Sequence, residues 1–334
     1  MNRNGICVAG YMVVDNVYTI NALPKSGELV TIKDNIRRTT GGALCNVTGN
    51  LAIIDKSLPL IALGRVGNDE EGEYILETLR VFPNVDLSMI KKHGKTAFTA
   101  VMEEELSRER SFFSYRGANT GFCEDDIDWS RITSTFMHIG YILLLDSLDE
   151  EDPEYGTKMA RLLCHAKERG IKTSIDVVSE KGNRFKRLVP PALKYTDYCI
   201  INEVEAEQIT GITLRKKNNS LVKKNIPKAL KIIKDYGVSE WAVIHSPEGG
   251  YGLDNQGNYC ESPAIPLLPN AIKGKVGAGD AFCAGTIYIA SQQGSLEQGL
   301  ELGNAAAAAS LLMPGAVEGM KSYKELKKLR AFYE

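Results

Sequence analysis

The sequence predicts an α/β fold in which helices cover both faces of a mostly parallel β-sheet. Short β-branched and apolar runs alternate with amphipathic stretches along most of the 334 residues. This alternation is typical of successive βαβ units, whose strands are buried on both faces. Hydrophobic residues form 43% of the chain, which suffices for the core of one large α/β domain or two modest domains. Two extended segments break the alternation and predict a small separate sheet.

The predicted elements follow one another in the order that βαβ units require. Strands are predicted at residues 6–9, 60–63, 136–139, 173–176, 198–201 and 241–244. Helices are predicted at 69–82, 155–169 and 227–236, and the small-residue run 304–313 indicates a tightly packed buried helix. Right-handed crossovers bring the carboxyl ends of parallel strands to one edge of the sheet, where we expect the active site.

Two segments interrupt this order. Residues 13–40 look extended, with turn residues in LPKSGE, and residues 96–116 have the pattern of a hairpin, with two β-rich arms around a charged turn. We expect the two segments to pair into a small β-sheet that projects as a lid from a single domain, 1–334. Two independent surface excursions are the alternative.

Charge and cysteine content narrow the class of protein. The formal net charge is −2 and no long basic stretch occurs, so neither nucleic acid nor an anionic membrane is the expected partner. The seven cysteines are scattered without a CxxC pair, which is typical of reduced thiols in a cytoplasmic protein. No apolar run reaches the ~20 residues of a membrane span. We therefore expect a cytoplasmic protein that binds small molecules.

An aspartate follows a glycine loop in GKVGAGDAFCAG, residues 274–285. Small residues at 277–279 let backbone N–H groups approach a ligand closely, and the first turn of a following helix has unpaired donors that favour negative charge. A transferred phosphoryl group would be stabilised there, and Asp280 would accept the proton of an attacking hydroxyl. The alternative is structural, since Asp is a favoured helix N-cap and Gly-Ala-Gly can form a simple turn.

Two common nucleotide motifs do not explain this loop. A Walker loop would need a glycine at Met89, upstream of the Gly-Lys-Thr at 94–96, and a helix after it. A dinucleotide fingerprint would need a third glycine at Phe282 and a place early in the chain. An anion hole is therefore the remaining phosphate-binding interpretation.

Two further stretches place polar residues at helix starts. In TTGGALCN, residues 39–46, a double glycine runs into a small-residue helix. Asn46 there suits recognition of sugar hydroxyls, with tight helix packing as the alternative. In NEVE, Asn202 and Glu205 have the spacing of an N-cap and an N3 acid, so helix capping is one interpretation. The other is that both side chains hold water around Mg²⁺, which usually keeps several waters.

The order of these stretches resembles the ribokinase-like (PfkB) family of carbohydrate and nucleoside kinases over nearly the whole chain. The resemblance rests on six motifs: GYMVVD, PKSGELV with GGALCN, GRVGNDEEG, RGAN, NEVE and GAGD. It implies that the acceptor is bound by Asp15, Gly41, Gly42 and Asn46, and that Asn202 and Glu205 organise magnesium through water. It further implies an anion hole of Gly277, Ala278 and Gly279, with Asp280 as the catalytic base.

The resemblance also implies a three-layer α/β/α fold with a β lid, and ATP near the C-terminal end. Ser246 and Gly249 of HSPEGG would lie beside the nucleotide, and Asn304 of GNAAAA would either contact the base or cap a helix. Tyr115 and Arg116 lie where the lid returns to the core. Arg116 would either pair with an anionic group of the substrate or form a surface charge. A homodimer through the exposed lid edge is a further implication.

The chain departs from the family pattern before the GAGD loop. Many members have an aspartate and a hydroxyl residue there that help to hold a monovalent cation, whereas this chain has Gly274 and Lys275. The resemblance therefore does not imply that potassium activates this chain. We hypothesise that the Lys275 ammonium takes the place of the cation beside ATP, with a solvent-facing lysine as the alternative. Ala43 stands where ribose-preferring members often have lysine, so ribose itself is not assured.

The sequence therefore predicts a carbohydrate kinase that uses ATP and Mg²⁺ to phosphorylate a hydroxymethyl group. A free sugar such as fructose, ribose or a keto-deoxy sugar acid comes first among acceptors, and a nucleoside second. A sugar phosphate comes third, because the glycine motifs contain no cluster of lysine or arginine. A catalytically silent sugar or nucleotide sensor on the same fold is a different class, and the intact GAGD and NEVE motifs argue against it.

Overall fold

The computed structural model describes residues 4–33, 36–107, 109–179 and 183–333. Residues 34–35 and 108, which belong to the two predicted lid segments, lie outside the described residues, as do 1–3, 180–182 and 334. Over the described ranges, no helix is long and apolar enough to cross a membrane.

The strands and helices follow the chain in an alternating order. The strands are β1 (Ile6–Gly10), β2 (Val13–Ile20), β3 (Arg37–Gly41), β4 (Leu60–Val66), β5 (Val85–Lys92), β6 (Phe98–Glu104), β7 (Arg110–Tyr115), β8 (Phe136–Ile142), β9 (Glu151–Asp152), β10 (Gly156–Thr157), β11 (Lys172–Val177), β12 (Tyr198–Asn202), β13 (Trp241–Ser246), β14 (Gly249–Leu253) and β15 (Tyr259–Pro263). The helices are α1 (Ala43–Ile54), α2 (Glu70–Arg80), α3 (Asp146–Asp149), α4 (Lys158–Glu168), α5 (Phe185–Leu193), α6 (Glu203–Thr210), α7 (Ile226–Asp235), α8 (Ala278–Ser291), α9 (Leu296–Leu311) and α10 (Tyr323–Tyr333).

A nine-stranded sheet forms the middle layer, in the order β15-β14-β13-β12-β11-β8-β1-β4-β5. From β13 to β5 each neighbouring pair is parallel, whereas β14 and β15 add an antiparallel edge. The predicted mostly parallel sheet is confirmed. The six predicted strands are all present, with boundaries shifted by a few residues.

Helices pack on both faces of this sheet and create two hydrophobic cores. In one core, helices α4, α5, α6 and α7 pack on one face of the sheet. In the other, helices α1, α2, α8, α9 and α10 pack on the opposite face. Strand β1 supplies both, because successive side chains of a strand point to opposite faces. Cys7 and Ala9 belong to the first core, and Ile6 and Val8 to the second. The arrangement has three layers, as expected.

Two predicted helices begin elsewhere than the sequence indicated. The helix expected at 155–169 starts at Lys158, because the Thr157 side chain accepts a hydrogen bond from the Ala160 N–H and caps it. The run 304–313 is the second half of α9, whose N-cap is Ser295, in a capping box with Gln298.

The predicted lid is a separate four-stranded sheet in the order β3-β2-β6-β7. Strand β2 pairs antiparallel with β3 and parallel with β6, and β6 forms the expected hairpin with β7. The segments therefore pair with each other and are not independent excursions. Strands β3 and β7 are the edges of this sheet, and a dimer through the lid stays a prediction.

The carboxyl ends of the central strands bring polar residues from distant parts of the chain to one edge. Tyr141 lies at the end of β8, Asp176 near the end of β11 and Asn202 at the end of β12. The loop before α8 approaches the same edge, since Gly279 lies close to His245 of β13. This edge is where a ligand site is expected in a parallel sheet.

Candidate active site

Asp280 lies buried in the first turn of α8, with 6% of its surface exposed. The N-cap of this helix is Gly277, whose φ of 74° is in the left-handed region that favours glycine. A Cβ at this position would also collide with Ala316. The alternative that Asp280 is the N-cap is therefore wrong, because Asp280 is the third residue inside the helix.

Two neutral donors hold the Asp280 carboxylate. Asn46 Nδ2 donates to Oδ2 at 2.7 Å, and the Tyr141 hydroxyl lies 3.2 Å from both carboxylate oxygens. Burial raises the pKa of Asp280 to about 6, although both donors act in the opposite direction. A carboxylate with a pKa near neutrality is suited to accept a proton.

The glycine loop and the start of α8 lie between two cavities. The larger has a volume of about 690 Å³ and the smaller about 260 Å³. Ala278, Gly279 and Lys275 line both of them. The first hydrogen bond of the helix runs from the Ala281 N–H to the Gly277 carbonyl, so the amides before Ala281 are outside the helical ladder. These amides can bind an anion at the junction of the cavities.

The smaller cavity is polar and holds three carboxyl groups, those of Asp176, Glu205 and Asp280. Burial raises the pKa of Asp176 well above its ordinary value, and the charges of Asp280 and Glu205 add to this effect. Burial also raises the pKa of Glu205 to about 7. Three carboxyl groups in one buried space favour a bound cation, because a positive charge would offset their mutual repulsion.

Asn202 and Glu205 form a reciprocal capping box at the start of α6. Asn202 Oδ1 accepts from the N–H groups of Val204 and Glu205 at 2.9 Å, and Glu205 Oε2 accepts from the Asn202 N–H at 3.0 Å. Ser179 donates to Glu205 Oε1 at 2.8 Å. The capping interpretation is therefore correct. It does not exclude the other, because both residues also line the smaller cavity.

His138, Asp176 and Cys283 form a buried group beside this cavity, which Asp176 and Cys283 line. Cys283 Sγ is 4.0 Å from Nδ1 and 3.8 Å from Nε2 of His138. His138 Nδ1 also lies 3.1 Å from Ser174 Oγ, within hydrogen-bond distance. Burial lowers the pKa of His138 to about 3. We interpret the group as packing.

Of the four predicted acceptor-binding residues, Asn46 contacts Asp280 and Asp15 lies against Gly41, and none of the four lines the larger or the smaller cavity. A Cβ on Gly41 would lie 2.6 Å from Asp15 Oδ2, and one on Gly42 would collide with the Tyr11 carbonyl. Gly41 therefore permits close approach of β3 to β2, and Gly42, the N-cap of α1, permits close approach to the Tyr11 backbone. Burial raises the pKa of Asp15. Asn46 Oδ1 is buried and has no hydrogen-bond partner among the described residues, so it is an available acceptor next to the candidate base.

The predicted nucleotide residues divide between the larger cavity and the core. Ser246, Lys275 and Asn304 line the larger cavity. Asn304 lies inside α9 and donates to the Ser262 carbonyl at 2.9 Å, so the alternative that it caps a helix is wrong. Gly249 is buried in β14, where a Cβ would collide with the Ser262 carbonyl. Its role is strand packing, and the prediction that it contacts the nucleotide is not supported.

Two predicted substrate residues lie apart from the cavities that meet at Asp280. Arg116 forms an ion pair with Asp146, so its guanidinium has a carboxylate partner within the protein. Tyr115 is 45% exposed, and its ring packs on Phe98 of the neighbouring lid strand, with 5.5 Å between ring centroids. Neither side chain lines the larger or the smaller cavity as the structure has them.

Comparison with known families decides the class of this protein. Residues 3–322 match the family model described as pfkB family carbohydrate kinase. The chain belongs to the pfkB family of carbohydrate kinases. The resemblance inferred from the six motifs is thereby confirmed, and the protein is a sugar kinase of this family.

Curated relatives of this pfkB-family chain are distant. An ATP-dependent ribose-1-phosphate kinase of Halopiger xanaduensis is 26% identical over 313 residues, which cover 92% of each chain. A 5-dehydro-2-deoxygluconokinase of Clostridium perfringens is 24% identical over 306 residues, 88% of this chain and 84% of the relative.

Solved structures agree with the three-layer ribokinase-like fold. The ribokinase of Arabidopsis thaliana, complexed with ribose and ATP, superposes with a TM-score of 0.79 at 21% identity and covers 98% of this chain and 99% of its own. The ribokinase of Thermotoga maritima has a TM-score of 0.78 at 18% identity, with the same coverage. At these identities the likeness concerns the fold.

Two residues of this candidate site, Asp176 and Tyr141, were not predicted from the sequence. Asp176 is the last residue of a predicted strand, and a polar residue at a strand end was a usable signal. Tyr141 follows Gly140 just beyond the predicted strand 136–139. A lone tyrosine carries no motif, so only the fold reveals that it touches Asp280.

Proposed function

We propose that this chain transfers the γ-phosphate of ATP to a hydroxymethyl group of a small sugar, with Asp280 as the general base. One observation carries the proposal. Asp280, bonded to Asn46, lies in a polar cavity that meets a larger cavity at the anion-binding loop before α8. A nucleotide in the larger cavity and Mg²⁺ in the smaller one would both reach this loop, and an acceptor on the Asn46 side of Asp280 would meet them beside a base.

The residues of the chain would divide the reaction among them. Asp15, Gly42 and Asn46 would orient the acceptor, and Asp280 would take the hydroxyl proton as the oxygen attacks the γ-phosphorus. The amides of 277–279 would stabilise the charge that develops on the transferred group. Most of the rate enhancement would come from positioning and electrostatics, as is usual for phosphoryl transfer.

ATP fits the larger cavity, whose volume of about 690 Å³ is within the usual range for a cofactor site. Ser246 and Asn304 line the cavity wall, and Lys275 lies where the phosphates would reach the loop. Mg²⁺ fits the acidic smaller cavity, where Asn202 and Glu205 would hold it through water. When bound, Mg²⁺ would neutralise charge on the phosphates.

The acceptor is best sought among sugars of several classes. Ribose, fructose and keto-deoxy sugar acids come first. The names of the relatives add ribose 1-phosphate and 5-dehydro-2-deoxygluconate. A nucleoside such as adenosine is the alternative acceptor, and a silent sensor is the alternative function.

A coupled ADP-release assay with Mg-ATP over this panel tests the proposal. We expect one sugar to raise turnover well above the rate without acceptor. Turnover with adenosine and with none of the sugars would instead show that the acceptor is a nucleoside. Tight ATP binding without turnover on any acceptor would favour the sensor.

A further inference from the structure

Tyr141 touches Asp280 from the carboxyl end of β8. Its hydroxyl lies 3.2 Å from both Oδ1 and Oδ2. Burial raises the pKa of Tyr141 well above its ordinary value, and the charge of Asp280 adds to the effect. The hydroxyl therefore stays protonated and donates. Because Asn46 donates to Oδ2, Oδ1 keeps a lone pair that an acceptor hydroxyl can use.

The backbone of Tyr141 has an uncommon conformation. Its φ of 65° lies in the left-handed region, which residues with a side chain rarely adopt. The Tyr141 N–H donates to Asp176 Oδ1 at 2.6 Å. Gly140, just before it, has no room for a Cβ against Ala43. Conformations of this kind persist where the surroundings fix them, and they cluster at functional sites.

Other charged or titratable groups face Asp280 from the elements around it. They are Cys45 on α1, Asp176 on β11, Glu205 on α6, His245 on β13, Lys275 before α8 and Cys283 on α8. Burial keeps both thiols and His245 neutral, by raising the pKa of Cys45 to about 12, raising that of Cys283 and lowering that of His245 to about 4. Burial raises the pKa of Asp280, and the hydrogen bonds from Asn46 and Tyr141 lower it, which favours the ionised form.

We propose that Tyr141 is a positioning residue whose hydroxyl fixes the orientation of the Asp280 carboxylate, while Asp176 holds the Tyr141 backbone. The catalytic meaning of this inference rests on the proposed role of Asp280 as base. The geometric part does not, because the hydrogen bond and its effect on Asp280 can be measured without an acceptor.

The test is an NMR titration of protein labelled with ¹³C in the aspartate carboxyl groups. The signal of Asp280 is the one that disappears in Asp280→Asn. In Tyr141→Phe, which removes one oxygen, the titration midpoint of Asp280 should move up by about one pH unit, since a donor to the charged form is lost. Tyr11→Phe is the matched control, because its ring lies 6.3 Å from that of Tyr141. It should leave the midpoint in place.

Kinetics give a second readout, with the panel acceptor of highest turnover. At about pH 6, Tyr141→Phe should lose about fivefold in kcat and recover much of it in alkaline buffer, with KM for ATP unchanged. Tyr141→Gln, which keeps an N–H donor, should move the midpoint less and serves if the Phe variant does not fold. An unmoved midpoint in Tyr141→Phe, or an equal shift in Tyr11→Phe, overturns the inference. Full turnover by Asp280→Asn would instead overturn the proposed function and leave the titration result standing.

Discussion

Asn46 Nδ2 donates to Asp280 Oδ2 at 2.7 Å and so links the first turns of two helices that start 235 residues apart, at Ala43 and Ala278. The other polar atom of Asn46, Oδ1, is buried without a hydrogen-bond partner among the described residues. Buried polar atoms usually have partners. An acceptor hydroxyl beside Asp280 would supply one.

Replacement of Asn46 by alanine should therefore weaken both acceptor binding and catalysis. A hydrogen bond to a charged group contributes about 1.5–3 kcal/mol, so kcat/KM for the acceptor should fall roughly 10–100-fold. Asn50→Ala is the matched control, because Asn50 lies one turn later in α1 and neither polar atom of its side chain has a partner among the described residues. Equal losses in both variants would show that packing of α1, and not contact with Asp280, explains the effect.

Asp280 should also make the folded protein less stable at neutral pH. Burial raises its pKa from 3.8 to about 6, so the folded state binds the proton more tightly than the unfolded state. Stability from this proton is present below about pH 4 and is lost as the pH rises to about 6, by roughly 3 kcal/mol. In urea unfolding at about pH 7.5, Asp280→Asn should be more stable than the unchanged protein, and the difference should vanish in acid.

Asp69→Asn should change the free energy of unfolding in the opposite direction, and it controls for the replacement of a carboxylate by an amide. Burial of Asp69 is outweighed by hydrogen bonds from Thr96 and Gly72, which lower its pKa. This variant should lose stability at neutral pH. Destabilisation of Asp280→Asn to the same extent would contradict the expected strain at the active site.

Glu205 should govern the response to Mg²⁺. In Glu205→Gln the negative charge is lost, and the Mg²⁺ concentration that gives half-maximal turnover should rise about tenfold, equivalent to about 1.4 kcal/mol. Glu207→Gln is the control on the same helix, where Glu207 accepts from the Leu214 N–H. If both variants need the same Mg²⁺ concentration as the unchanged protein, Glu205 has only its capping role.

Lys275 should replace a monovalent cation. It is exposed and lines both cavities, so its ammonium can reach the phosphates. Turnover should be the same in potassium and tetramethylammonium salts. Lys275→Met should lower kcat/KM for ATP about tenfold, whereas Lys273→Met, two residues upstream, should not. A severalfold activation of the unchanged protein by K⁺ would disprove the replacement.

The fold and the main candidate residues of the site follow from local sequence patterns. The alternation of strands and helices predicts the layers. The GAGD and NEVE motifs place Asp280 and Glu205 at helix starts, and these could be predicted because the geometry of a helix start depends on residues adjacent in the sequence. The start of α9 was equally readable, since Ser295 and Gln298 form a capping box. Attention to the alanine run placed Asn304 at a helix start instead.

Long-range contacts account for what the sequence could not reveal. Arg116 pairs with Asp146, which lies thirty residues away in the sequence. The sequence alone does not indicate which of the many acidic residues is its partner. Tyr141 reaches Asp280 only because β8 ends beside α8. Gly249 looked like a ligand-binding glycine, but the close approach it permits is to β15. In each case the deciding neighbour comes from another part of the chain.

The central claim is that Asp280 accepts the proton during phosphoryl transfer. The most direct measurement is single-turnover transfer from γ-labelled ATP to the panel acceptor, by the unchanged protein and by Asp280→Asn, with acceptor affinity measured in parallel. We predict that the variant binds the acceptor with similar affinity and loses transfer by a factor of about 10²–10⁴. Transfer at a near-normal rate with intact binding would contradict it.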